Sequence, residues 1–293
     1  MCPPFVSDLL APLIARVGSV GALLVGTLAL VLAAAAAWAL PRPSADRDWA
    51  PEQATAPEIT FEGDTVRVRR LRDFRYTSDG SAQPGFRDEA FPLDDVRRVW
   101  FALAPFARRY RGLAHSFVTF EFAGDRFVAV SVEARREADE RYSLLGGVLR
   151  SFELAYVVGT EEDLLGVRAQ RGDTIFLYPS VTTPAQARAI FLDMMERARD
   201  IQERPEFYNT LLNNCNTNLR RHVNGATSAG LPWGWGILLP GFSDALALER
   251  GLLDTTLPLE RARERFRVDE HVRQALAEGA ADFSLRIRAR EGA

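Results

Sequence analysis

The sequence predicts an α+β domain carried behind an N-terminal membrane helix, and three observations lead there. Residues 17 to 40 form a run of 24 positions without a charge, long enough to cross a hydrocarbon core as a helix. AHSFVTFEF and RFVAVSVEA flank Gly124-Asp125, the pattern of two antiparallel strands joined by a tight turn. After Thr183-Pro184, the apolar positions Ile190, Phe191, Met194, Met195, Ala198 and Ile201 recur at helical spacing, which predicts an amphipathic helix with its stripe on a core.

Residues 1–16 precede the apolar run, and residues 17–40 are the predicted anchor. Ala37-Trp38-Ala39 satisfies a small-x-small cleavage rule, so retention and removal of this helix both stay open; its length exceeds the roughly 7–15 apolar residues of a signal peptide and favours retention. Arg16 on one side, and Arg42 and Arg47 offset by Asp46 and Asp48 on the other, leave its orientation open. Residues 41–57 hold four prolines with Ser, Asp and Gln, the composition of an extended linker. The folded part then begins, and residues 58–250 are assigned to one domain. ITFEGDTVRVRRLRDFRY predicts two strands around Gly63-Asp64. LDDVRRVWFALAPFA places Val96, Val99, Trp100, Leu103 and Phe106 at helical intervals, which predicts a helix covering the sheet. AYVVGT and DTIFLYP predict further strands. LRRHVNG predicts a helix ending near Gly225, and GLPWGWGILLPGF an irregular loop, followed by a short helix. Residues 251–293 form a helical extension with one charged helix from about Leu259 to Leu276.

Composition excludes several functions. The chain has 293 residues and a net charge of −3, with no basic block interleaved with aromatics, so nucleic acid is not an expected partner. All 36 basic residues are arginine, which removes Schiff-base and Ser-Lys chemistry. The two cysteines, Cys2 and Cys215, give no disulfide framework, and neither Cys-x-x-Cys nor His-Glu-x-x-His occurs. No metal or other cofactor is expected. Cys2 lies ahead of the apolar run and is not placed like a lipoprotein cysteine.

The chemistry concentrates in FYNTLLNNCNTN, residues 207–218, where five asparagines surround Cys215. Asn213 and Asn214 can start a helix, because their side chains accept from unpaired backbone N–H groups. Cys215 then falls in the first turn at the positive end of the dipole, where a thiolate is favoured and free N–H groups can receive an oxyanion. Of three histidines, His222 lies seven residues further along the same helix, about 10 Å away, too far to take the thiol proton. His271 sits in the charged terminal helix, expected at the surface. His115, opening the first strand of the hairpin, is the candidate base. Ser131 or Glu133 on the adjacent strand could orient it, with Glu133 chosen; one residue of register exchanges the faces. Tyr208, Asn209, Asn213 and Asn214 complete the residues expected to shape the site.

RDFRYTSDG, AHSFVTFEF, VSVEARRE with ERYS, FELAYVVGTEEDLLGVRA and PEFYNTLLNNCNTN, in that order, resemble the Lnb N-terminal periplasmic domain family over roughly residues 65–225, and LLPGFSDALALERGLL is similar to the segment that follows. The resemblance implies a papain-like fold of the permuted type shared by cell-wall hydrolases and lecithin-retinol acyltransferase: an antiparallel sheet with a catalytic helix, the histidine strand preceding the cysteine helix. It implies residues 1–16 in the cytoplasm, a bacterial inner-membrane anchor and a periplasmic domain. It further implies transfer of an acyl chain from a phospholipid through a Cys215 thioester to the amino terminus of a lipoprotein. Phospholipid and lipoprotein are thus the expected partners, and the oligomeric state is open. A cell-wall peptidase or amidase using the same pair, and a membrane-tethered binding protein with an inert thiol, remain as alternatives.

Overall fold

The computed structural model describes residues 21, 23–33, 35–36, 42–76, 81–106 and 112–289. The chain divides into two units, Met1–Pro43 and Ser44–Ala293. In the first, residues 21, 23–33, 35 and 36 are helical. Among the described residues no helix is long and apolar enough to cross a membrane. Residues 1–16, and positions 17–20, 22, 34 and 37–40 of the predicted anchor, lie outside the described residues.

The second unit is α+β. Its strands are β1 (Glu58–Glu62), β2 (Thr65–Arg72), β3 (Arg75–Tyr76), β4 (Ala82–Gln83), β5 (Phe86–Pro92), β6 (Val96–Pro105), β7 (Ala114–Phe122), β8 (Arg126–Arg135), β9 (Glu153–Gly159) and β10 (Phe176–Pro179). Eight of them form a mixed sheet in the order β1-β2-β9-β8-β7-β6-β10, with β5 also on β2, while β3 and β4 pair separately. Only the β2–β9 contact is parallel among these named pairs. The helices are α1 (Leu144–Val148), α2 (Glu161–Gln170), α3 (Pro184–Glu203), α4 (Cys215–Ala226), α5 (Trp235–Leu238), α6 (Ser243–Glu249), α7 (Leu259–Phe266), α8 (Asp269–Ala277) and α9 (Phe283–Arg286).

Both faces of the sheet are covered. Alternate residues of a strand point to opposite faces, and β7 divides accordingly. Ala114, Val118, Phe120 and Phe122 join Ile190, Phe191, Met194 and Met195 of α3, with Cys215 and Leu219 of α4, in one core. Phe117 joins Leu164 and Leu165 of α2 and Val272 and Ala275 of α8 in the other. This explains one error in the sequence reading. The segment 96–105 is a strand and not a helix: Phe101, Ala102, Leu103 and Ala104 are all buried, because a strand covered on two faces reads as a continuous apolar run, in which helical and strand periods look alike.

Three further segments depart from expectation. α2 is an additional helix, started by Thr160, whose side chain accepts from the Asp163 N–H. It is tied to β2 by the buried Arg72–Asp163 pair, with Nε to Oδ2 at 2.8 Å and a second bond of 2.9 Å. The terminal charged segment is two helices, α7 and α8, broken at Arg267-Val268, and Ala262, Phe266 and Val272 are buried in the cores. Residues 44–57 pack on the domain: Arg47 pairs with Glu137 and Glu153 at 2.7 Å each, and Gln53 is hydrogen-bonded to Ala134 and Arg136.

Candidate functional site

The asparagine-rich run folds as a closed turn leading into α4. Asn209 and Asn213 exchange backbone hydrogen bonds of 3.0 and 2.9 Å, and the Asn209 side chain accepts from the N–H groups of Leu211 and Leu212 while donating to Val148. Asn213 donates to the Phe207 carbonyl and to Glu206, and accepts from Asn218. Asn214 is the N-cap: its Oδ1 accepts from the Thr217 N–H at 2.9 Å, and Thr217 Oγ1 accepts from the Asn214 N–H at 2.8 Å. These two bonds satisfy donors that a helix start would otherwise leave unpaired. They also occupy the Asn214 N–H, so an oxyanion would look to Cys215 and Asn216. The asparagine side chains therefore build the loop and hold the start of α4, with Cys215 as its first residue.

Cys215 is buried, and burial pushes its thiol above the ordinary range. Opposing this are Ser116, through its backbone and its hydroxyl, the backbone of Asn216, and the positive charge of Arg168. Ser116 Oγ also donates to Asn216 Oδ1 at 3.2 Å. The free protein thus holds a neutral thiol among groups that favour its ionised form.

His115 is equally buried. Its Nε2 lies 2.6 Å from Ser131 Oγ, and Ser131 Oγ donates to Glu133 Oε1 at 3.0 Å. With the serine hydrogen committed to the carboxylate, Ser131 can only accept from histidine. Nε2 therefore carries the proton and Nδ1 is the basic nitrogen. Arg168 of α2 approaches Glu133 at 3.6 Å. Burial of His115, reinforced by the charges of Arg168 and Arg171 and only partly offset by Glu133, lowers its pKa to about 3. Burial alone would raise Glu133, but His115, Arg168, Arg72 and the Ser131 hydroxyl outweigh it and bring its pKa to about 2. At neutral pH the group is an imidazole, a serine and a carboxylate held between two arginines.

The β7–β8 ladder brings these parts together by stopping short. Its last pair towards the site is Val118 with Val130. Continued three residues further, the same register would set His115 opposite Glu133; instead the strands separate and Ser131 bridges them. His115 stacks on Phe117 at 5.6 Å between ring centroids and shares its face with α2, whereas Cys215 belongs to the core on the opposite face. No hydrogen bond joins His115 to Cys215. Ser116, next to His115 in the chain, acts directly on the thiol, and the charge of Arg168 reaches both Cys215 and His115.

Tyr208 is buried near Cys215, and burial, with the negative charge the thiol would carry, raises its phenol far above the ordinary range; it stays a donor. His222 takes no part. Its Nδ1 lies 2.6 Å from Asp193 Oδ2 and its Nε2 2.7 Å from the Tyr156 hydroxyl. His271 is half-buried and not the exposed histidine expected, with Nδ1 buried and lacking a hydrogen-bond partner. Arg168 escaped the sequence reading altogether, since one arginine among 36 carries no local signature. Among the described residues no cluster of His, Cys, Asp and Glu could hold a metal ion.

The model of the Lnb N-terminal periplasmic domain matches residues 82–241, a span that contains His115, Ser131, Glu133, Arg168 and Cys215. The chain belongs to this family. No curated protein matches, and no solved structure matches. Membership assigns the matched region to a periplasmic domain.

Proposed function

We propose that the protein is a thiol acyltransferase of the periplasmic face of the inner membrane, tethered by residues 17–40, in which Cys215 takes an acyl group from a lipid ester and passes it to an amine of a lipoprotein. The observation that supports this most is a cysteine at a capped helix start, in contact with Ser116, the chain neighbour of a histidine whose tautomer is set by Ser131 and Glu133. That arrangement, with the histidine strand first, is the one a permuted papain-like enzyme requires.

In this reading His115 Nδ1 accepts the thiol proton as sulfur attacks the ester carbonyl. The resting imidazole is a weak base, so proton transfer accompanies attack and no thiolate accumulates beforehand. A C–S bond forms, and the oxyanion is received by the N–H groups of Cys215 and Asn216 at the positive end of α4. Collapse breaks the ester C–O bond, and the leaving alkoxide takes the proton back from His115. The acceptor amine then attacks the thioester, a C–N bond forms, the C–S bond breaks, and the amine proton passes through His115 to the departing sulfur. Glu133 stays ionised throughout and stabilises the transient imidazolium, as the carboxylate does in other nucleophile–histidine systems.

The test is incubation of the purified chain, in a Cys2→Ser background, with phospholipid, followed by intact-mass measurement. An acyl adduct that disappears in Cys215→Ser is expected. Cleavage of cell-wall peptides without any adduct would transfer the same residues to a peptidase reading, and full cellular function of Cys215→Ser would end both.

A further inference from the structure

A narrow cavity of about 80 Å³, open at one end, lies beside α4 on the Cys215 face of the sheet. Asn216, Leu219, Arg220, Val223 and Thr227 line it, a single face of the helix from the residue after Cys215 to the C-cap. Eleven residues of helix span roughly 16 Å. Val99, Phe101 and Val118 of the sheet, Ile190 of α3, and Leu246 and Leu252 close the other sides.

Its few polar lining groups are already engaged by the protein. Asn216 donates to Gly236 and Ile237 and accepts from Ser116. Ser180 donates to Val99, Thr227 to Val223 and Ser243 to Pro240. Arg220 Nε donates to Leu231, and its guanidinium lies 5.5 Å from the centre of the Trp233 ring. An occupant therefore meets an apolar wall, and a polar one would lose its own hydrogen bonds to water without replacement. The segment that supplies Leu231 and Ile237 to this wall, running from a loop into α5, also exposes Trp233 and Trp235, at 48% and 75% of their surface. Exposed indoles beside an apolar mouth suit an approach from a lipid surface.

We infer that this cavity is the acyl-chain site: a single unbranched chain lies along α4 with its carbonyl end at Cys215 and its methyl end towards Val223 and Thr227. This rests on the acyl-transfer reading for the position of the carbonyl, but the cavity's preference for an aliphatic chain follows from its walls alone. Val223, about 12 Å from Cys215 along the helix, then sets the chain length that fits.

Two measurements separate the cavity from the chemistry. With the full chain in the Cys2→Ser background, acylation of Cys215 is followed by intact mass using p-nitrophenyl butyrate and p-nitrophenyl palmitate. Val223→Phe should lower the palmitoyl-to-butyryl rate ratio by about tenfold or more, and Val223→Ala should not lower it. A ratio unmoved by Val223→Phe in a protein with unchanged melting temperature overturns the inference. If no ester acylates Cys215, the transfer reading fails and the cavity is judged by binding. Cys215→Ala should bind cis-parinaric acid and be displaced by palmitate, and adding Val223→Phe should weaken that binding; absence of binding by folded Cys215→Ala overturns the inference.

Discussion

Replacing His115 with glutamine should make the protein less sensitive to acid, and the size of the effect follows from its burial. The imidazole titrates near pH 3 in the folded chain, against 6.5 as its ordinary value. Below 6.5 the unfolded chain binds a proton that the folded chain refuses, so stability declines as pH falls from 6.5 towards 3 and is fully present above that window. At pH 4 the unfolded side chain is protonated by about 2.5 pH units of driving force, which corresponds to roughly 3 kcal/mol lost relative to pH 7. Urea denaturation at pH 7 and pH 4 measures it. His115→Gln retains a hydrogen-bonding group towards Ser131 and removes the titration, so the drop between the two pH values should shrink by about 2–3 kcal/mol. Glu133 is itself held low partly by His115, so the comparison is made in a Glu133→Gln background, where the histidine titration is the difference between the two proteins. Equal drops in the two proteins would refute the buried, neutral histidine and with it the assignment of Nδ1 as base.

Ser131→Ala severs the bridge between His115 and Glu133 and leaves both buried groups short of a partner; a loss of about 2–4 kcal/mol in urea denaturation is expected, together with slower alkylation of Cys215 by iodoacetamide. Ser131→Thr, which keeps the hydroxyl, should restore the alkylation rate. Asn214→Ala removes the cap of α4 and should cost about 1–2 kcal/mol, more than Asn224→Ala near the helix end would. Arg168→Met withdraws a positive charge that favours the thiolate, so the pH at which Cys215 reacts half-maximally should rise; a fall would mean that Arg168 acts on Cys215 in the opposite sense.

The parts that were legible in the sequence are those governed by local rules. Gly124 and Asp125 both adopt positive φ, 74° and 57°, and a hairpin turn is readable where such residues separate two alternating runs. Thr183 and Gln186 form a capping box ahead of α3, and Asn214 with Thr217 does the same for α4, so helix starts were readable at Thr183-Pro184 and within the Asn213-Asn214 pair. What stayed hidden depends on tertiary structure. α2 escaped because Glu161, Asp163 and Arg168 are buried, inverting the polar-outside pattern on which a helix is recognised; their burial is supported by Arg288, Arg72 and Glu133, from distant parts of the chain. Ser131 as the immediate partner of His115, with Glu133 behind it, depends on where β7 and β8 separate. That point leaves no mark in either strand.

The proposed reaction requires Cys215 to carry an acyl group. Intact-mass measurement of the chain after exposure to phospholipid tests this: a mass increase of one acyl chain is expected, located to Cys215 by peptide mapping, released by an amine and absent in both Cys215→Ser and His115→Gln. A chain that stays unmodified, while the same preparation has a freely alkylated Cys215, would contradict it.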